Sequence, residues 1–204
     1  MPEPVRLLVA TTNLKKLKEL QDLLADLPVQ CVSLKDFPGV TAVEETGKTF
    51  QANAELKALG YAGQTGLLTL GEDSGLCCDA LQGAPGVMSA RFSGAEKDDN
   101  ANNRKLLQTM ETVPDAERSA YYESAVAIAA PRQLIGTVSG RVHGVITREL
   151  RGSGGFGYDP LFSYPPFGQT FGEVPIELKH SVSHRSRALA QVHVLLERYL
   201  AGPS

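Results

Sequence analysis

The sequence predicts an α/β protein. Three observations carry that expectation: short, continuous apolar runs at 5–10 and 66–70 that read as buried strands, leucines at helical spacing such as Leu17, Leu20, Leu24 and Leu27, and polar turns of Thr, Asn and Gly separating the two kinds. At 204 residues, with 42% apolar and 21% charged side chains, the chain has ample length for a proper core and ordinary globular composition. It is read as a single domain spanning 1–204.

Val5 to Ala10 is the first strand. Thr11-Thr12-Asn13 breaks it with good N-cap residues, and the following helix ends before Pro28. Asn13, Lys15 and Lys16 therefore stand near a helix N-terminus, whose unpaired N–H groups and partial positive charge suit an anion. The alternative is a capped surface helix with solvated lysines. A second strand covers Val29 to Ser33, and Thr49 caps a helix from Phe50 to about Ala62. Asn53 and Lys57, four apart on that helix, share a face and could reach one ligand, or form a hydrated polar face. Gly47-Lys48-Thr49 imitates the end of a phosphate-binding P-loop, but position 42 is Ala42 rather than glycine and Glu44-Glu45 make a preceding strand implausible.

The apolar run 66–70 leads into Glu72-Asp73-Ser74-Gly75, read as a strand ending in a tight turn with both acids at its end. Adjacent carboxylates repel, and a hard divalent cation with oxygen ligands is the simplest group to hold them ionised. A solvated acidic turn is the competing reading. Cys77 to Leu81 is expected as a strand, followed by a Gly/Pro-rich loop and by Arg91, a permanently charged donor for phosphate or for a structural ion pair. Asp98 opens a polar helix placed on the periphery. Tyr121 to Ala130 and Leu134 to Val145 read as strands joined in a hairpin. Gly152, Gly154 and Gly157 satisfy the dinucleotide spacing, yet Pro160 follows and no helix opens there, so the stretch reads as a glycine-rich binding loop with Phe156 or Tyr158 available to stack on a ring, or as a flexible surface loop. Phe167 to Gly172 is a turn, and Ser183 caps a last helix with Leu189, Val192, Leu196 and Tyr199 on one face. His184 and Arg185 then oppose the helix dipole in its first turn, a local rule broken in the way functional sites break it.

Several classes are excluded by composition. A net charge of −3 argues against broad nucleic-acid binding. Cys31, Cys77 and Cys78 form no C-x-x-C pair, which points away from disulfides and zinc and toward a reducing, cytoplasmic compartment. The first residues lack the basic and apolar regions of a signal peptide, and no apolar run approaches the ~18 residues of a membrane span.

Taken together, Ala10 to Lys16, Glu45 to Phe50, Asn53-Ala54, Lys57-Ala58, Glu72 to Leu76, Gly83 to Val87, Ser89 to Arg91, Gly154 to Pro160 and Ser183 to Ser186 resemble the inosine/xanthosine triphosphate pyrophosphatases. The segments run in that family's order through nearly the whole chain. The resemblance implies an elongated mixed central sheet flanked by helices, two lobes with the nucleotide in a cleft between them, and a homodimer. It implies hydrolysis of non-standard purine nucleoside triphosphates (ITP, dITP, XTP) to monophosphate and pyrophosphate with Mg²⁺, cleansing the nucleotide pool. By position, Thr11, Thr12, Asn13, Leu14, Lys15 and Lys16 would bind the triphosphate; Asp73 would be general base and metal ligand, and Glu45 would assist with metal. Ser74, Phe156, Gly157, Tyr158, Asp159, Lys179, His184 and Arg185 would contact the substrate. Arg185 would donate to the C6 oxygen of the base. The chain departs from the family's usual pair of aspartates in having Glu72 before Asp73. A non-catalytic nucleotide sensor and a pyrophosphatase for other modified nucleotides are the alternatives.

Overall fold

The strands of this chain form a mixed sheet in the order β2-β1-β3-β4-β5-β6-β7. They are β1 (Val5–Val9), β2 (Val29–Ser33), β3 (Leu68–Cys78), β4 (Ser119–Ala130), β5 (Gln133–Ile146), β6 (Phe162–Tyr164) and β7 (Gln169–Thr170). The helices are α1 (Leu14–Leu23), α2 (Phe50–Thr65), α3 (Asp99–Thr109), α4 (Ile176–His180) and α5 (His184–Ala201). The computed structural model describes residues 4–94 and 97–201, so the N-terminal residues 1–3 read above for a leader lie outside the described residues. β1 pairs in parallel with β2 and β3, while β5–β6 and β6–β7 are antiparallel. The predicted α/β class with a mixed sheet is what forms.

The chain divides into two compact units. The first comprises Met1–Asp73, Ser124–Gly140 and Arg185–Ser204. Within it β1 is apolar on both faces because both are covered, as parallel strands require. Leu7 and Val9 pack with Leu20, Leu24, Leu70, Val126, Ile128, Leu189, Val192 and Leu196, while Leu8 and Ala10 pack with Leu34 and Tyr61. Tyr199, expected on the buried face of α5, is instead 41% exposed. The second unit comprises Ser74–Glu123 and Arg141–His184. Its core gathers Leu76, Cys78, Leu106, Met110, Tyr122, Val142, Ile146, Phe162 and Phe171.

Four expectations are corrected. The strand carrying the acids does not end at a turn: β3 runs unbroken through Glu72-Asp73-Ser74-Gly75 to Cys78. Its glycines serve close packing rather than turning. A Cβ on Gly71 would stand 2.3 Å from the Ala54 carbonyl oxygen and 2.6 Å from the Ala58 nitrogen, so α2 lies directly on the strand backbone. Residues 79–81 form a 3₁₀ turn rather than strand. The turn at 167–172 contains β7, which pairs with β6, and the short helix α4 had no sequence signal beyond Pro175. Finally, α3 is not peripheral, since Asn102 and Asn103 on it are buried.

Candidate active site

In the first unit, the end of β1 and the start of α1 set the loop 11–16. Asn13 is the N-cap: its side-chain oxygen accepts from the Lys15 and Lys16 backbone nitrogens at 3.0 and 3.2 Å. Two of the helix N–H groups available to an anion are thus already bonded to Asn13, and Thr12, Leu14 and Lys15 remain exposed around them. One turn further, Lys16 reaches back to β3, with Nζ 3.0 Å from Glu72 Oε2.

Glu72 is the hub of a buried charge cluster. Besides Lys16 it accepts from Ser124 Oγ at 3.0 Å and from Arg185 Nε at 3.2 Å, and the Arg185 Nη1 donates to Glu19 at 2.8 Å. The extra methylene that Glu72 has over aspartate therefore serves contact with two cations and a hydroxyl. Arg185, in the unfavourable first turn of α5, is held there by carboxylates that offset its conflict with the helix dipole. Burial pulls the Lys16 ammonium below its ordinary value, with Glu72 acting in the opposite direction.

Asp73, the next residue on β3, points to α2. Its Oδ2 accepts from Asn53 Nδ2 at 3.0 Å, and its Oδ1 lies 3.5 Å from Lys57 Nζ, which bonds Glu45 at 2.8 Å. Asn53 and Lys57 act from one face of α2, as their spacing predicts, and Asn53 also accepts from the Gly47 nitrogen at 2.7 Å, tying the 45–49 loop to the same helix. No strand precedes Gly47-Lys48-Thr49, and Thr49 simply caps α2. Burial raises the Asp73 carboxyl above its ordinary value, while Lys57 and Lys16 pull against it. Burial works to lower Lys57, yet Asp73 and Glu45 together hold it above its ordinary value.

The second unit gathers a different set. Phe156, Asp159 and Lys179 form one group: Lys179 Nζ donates to Asp159 at 2.8 Å and lies 4.9 Å from the centre of the Phe156 ring, and the Phe156 nitrogen donates to Asp159 at 2.9 Å. Lys179 and Asp159 are both buried. Tyr158 is buried too, its hydroxyl donating to the Ser89 carbonyl at 2.8 Å, so it is an anchor of the loop. His184 is buried against Tyr122, with ring centroids 4.8 Å apart and planes 12° from parallel. Ser74 is half-buried, and Arg91 is exposed at the end of the 3₁₀ segment Gly86–Arg91.

Sequence reasoning missed Glu19, Ser124 and Tyr122 as partners of these residues. Glu19 carried one available signal, since at three residues past Lys16 it lies on the same helical face.

Can this arrangement hold a metal ion? Among the described residues no group of three His, Cys, Asp or Glu side chains stands ready for one. Glu45 and Asp73 nevertheless converge on a single cationic group, the Lys57 ammonium, and two carboxylates completed by substrate oxygens and water is the donor set Mg²⁺ prefers. The residues present fit such an ion.

Comparison with known proteins points one way. The model of the Ham1 family matches residues 7–194. A dITP/XTP pyrophosphatase of Desulforamulus reducens is 53% identical over 194 residues, covering 95% of this chain and 96% of that protein. A dITP/XTP pyrophosphatase of Geobacter sulfurreducens is 52% identical over 185 residues, covering 91% and 93%. Among solved structures, a HAM1 protein from Coxiella burnetii superposes with a TM-score of 0.87 at 38% identity, covering 95% of this chain and 99% of that one.

Proposed function

This chain belongs to the Ham1 family, and from that membership we infer that it is a nucleoside triphosphate pyrophosphatase, hydrolysing non-standard purine nucleoside triphosphates such as dITP and XTP. The single observation that carries the chemistry is the setting of Asp73: a buried carboxyl whose pKa burial raises while Lys57 and Lys16 pull against it, fixed through one oxygen by Asn53.

Hydrolysis between the α- and β-phosphates adds water to the α-phosphorus, breaks the bond to the bridging oxygen and releases pyrophosphate with the monophosphate. Such a reaction needs charge neutralisation and alignment more than covalent help. In this reading Asp73 takes the proton of the attacking water. Lys16 and the α1 N-terminus, with Thr11 to Lys15, face the triphosphate. Glu72 does not ligate metal in this reading; it holds Lys16 in place and shares its charge with Arg185. Glu45 and Asp73 would hold a divalent ion, proposed to be Mg²⁺, which when bound would neutralise phosphate charge. The proposed purine contacts are Phe156 to Asp159, Lys179 and His184, with Ser74, and Arg185, whose guanidinium would donate to the C6 oxygen that adenine lacks. Lys57 acts on Asp73 and Glu45, and Arg91 stays a phosphate contact of the exposed loop.

Within the described residues no helix is long and apolar enough to cross a membrane. We propose a cytoplasmic homodimer without nucleic-acid partners. A pyrophosphate-release assay across dITP, ITP, XTP, dATP and dGTP tests the activity: selective release from the first three is expected, and equal rates on all five, or none, would sink it.

A further inference from the structure

The glycine-rich loop of the second unit is gripped from an unexpected side. Asp99 and Asn103 lie four residues apart on α3 and so share one face of the helix. Asp99 Oδ2 accepts from the Gly157 nitrogen at 2.9 Å, and Asn103 Nδ2 donates to the Gly157 carbonyl at 2.8 Å. Both backbone groups of one residue are therefore bonded to side chains of one helix. Gly157 has φ of +63°, a left-handed conformation that side-chain-bearing residues resist, and it sits between Phe156 and Tyr158. Asn102, the residue before Asn103 on α3, holds another segment, accepting from the Ser93 nitrogen at 2.7 Å and donating to the Ala90 carbonyl at 3.2 Å. Asn103 is 3% exposed, and its Oδ1 has no hydrogen-bond partner among the described residues. Burying that oxygen unsatisfied is costly, and the hydrogen bond the carboxamide does make is its grip on Gly157.

The grip is relayed. Tyr158 donates to the Ser89 carbonyl, and Ser89 Oγ accepts from the Leu76 nitrogen at 2.9 Å while donating to the Gly86 carbonyl at 2.6 Å. Fixing Gly157 thus fixes the anchor Tyr158 on one side and the Phe156 ring on the other.

We propose that Asp99 and Asn103 are positioning residues that clamp the Gly157 peptide and so set the Phe156–Asp159 loop for the purine. This rests on the reading of that loop as a substrate contact. Loop misplacement acts on binding geometry, so Asn103→Ala and Asp99→Ala should each raise KM for dITP by ~10-fold while kcat changes far less. Asp99→Asn keeps an acceptor for the Gly157 nitrogen and should restore KM to near the parent value. The two alanine changes act on one peptide, so the double variant should fall short of the product of the single effects.

The decisive measurement is hydrogen–deuterium exchange of the peptide carrying 155–159, run beside kinetics on dITP. Faster exchange there, with β4 and β5 unchanged, is expected for both alanine variants. Unchanged exchange at 155–159, or faster exchange with unaltered KM, would overturn the clamp. Asp99 is only half-buried in the first helical turn, so Asp99→Ala carries the test if Asn103→Ala does not fold. Phe156→Ala separates the two ideas: if it leaves KM unaltered, the loop is not a substrate contact and the failure belongs to that reading.

Discussion

Asp73, the proposed base, sits in an environment that disfavours its charge. Burial raises its carboxyl pKa, and Lys57 and Lys16 limit the rise. The sign follows: the folded-state value lies above that of a solvated aspartate, so protonation on acidification begins earlier than for a solvated carboxyl, and activity that needs the carboxylate is lost as pH falls through that raised value. The acid limb of kcat/KM should lie above the ordinary aspartate value of 3.8. Asp73→Asn should reduce turnover by ~10²–10⁴-fold and abolish that limb; near-normal pyrophosphate release from this variant would remove Asp73 from the chemistry. Arg185 makes a contrasting case. Its Nε and Nη1 are bonded to carboxylates that are almost wholly buried, Glu72 at 2% and Glu19 at 4% exposure. Arg185→Ala would leave both without that cation, at a cost of about 3–5 kcal/mol in urea unfolding. If Arg185 also reads the base, the ITP-to-ATP ratio of kcat/KM narrows in the same variant; an unchanged ratio would confine it to the ion pairs. Burial acts on the thiols in the same direction, pushing Cys78 up to about 12 and raising Cys77 and Cys31. A thiol reagent at pH 8 should modify the native protein slowly and the urea-unfolded protein at three sites.

At the scale of elements, β3 and α2 form the platform of the first unit's cluster. The helix backbone touches the strand backbone at Gly71, which is why Asn53 and Lys57 reach Asp73 at all. Gly71→Ala forces the two apart, because the obstructing atoms are backbone and cannot rotate away. A loss of at least about 1–3 kcal/mol is expected from overpacking, together with a fall in kcat from the displaced base. Wild-type melting and turnover in this variant would show that the contact is not tight. β3 continues through two acids because other elements bring their partners. Once Lys16, Arg185 and Lys57 are supplied by α1, α5 and α2, a carboxylate pair is tolerable in mid-strand and needs no turn.

For the molecule as a whole, the charged and aromatic groups are distributed unevenly between the two compact units. The first unit holds the cations and the carboxylates, and the second the aromatic rings with the Asp159–Lys179 pair. Activity should vanish with EDTA and return on adding Mg²⁺, since a triphosphate beside Glu45 and Asp73 is strongly anionic. Full turnover in chelator would take the metal out of the mechanism.

What the sequence by itself determined was local. Apolar runs marked β1, β2 and β4, the caps Asn13, Thr49 and Asp98 marked the starts of α1, α2 and α3, and the spacing of Asn53 and Lys57 put them on one face. Motif order alone placed the chain among purine triphosphate pyrophosphatases. Only the tertiary structure decided which charges meet. Glu19 and Arg185 are joined across 166 positions and Arg185 and Glu72 across 113, and no periodicity reports a partner at such separation. It likewise turned the polar, Asn-rich α3 inward. A buried carboxamide and a solvated one look the same in sequence, and they differ only in whether a loop such as 155–159 arrives to take their hydrogen bonds.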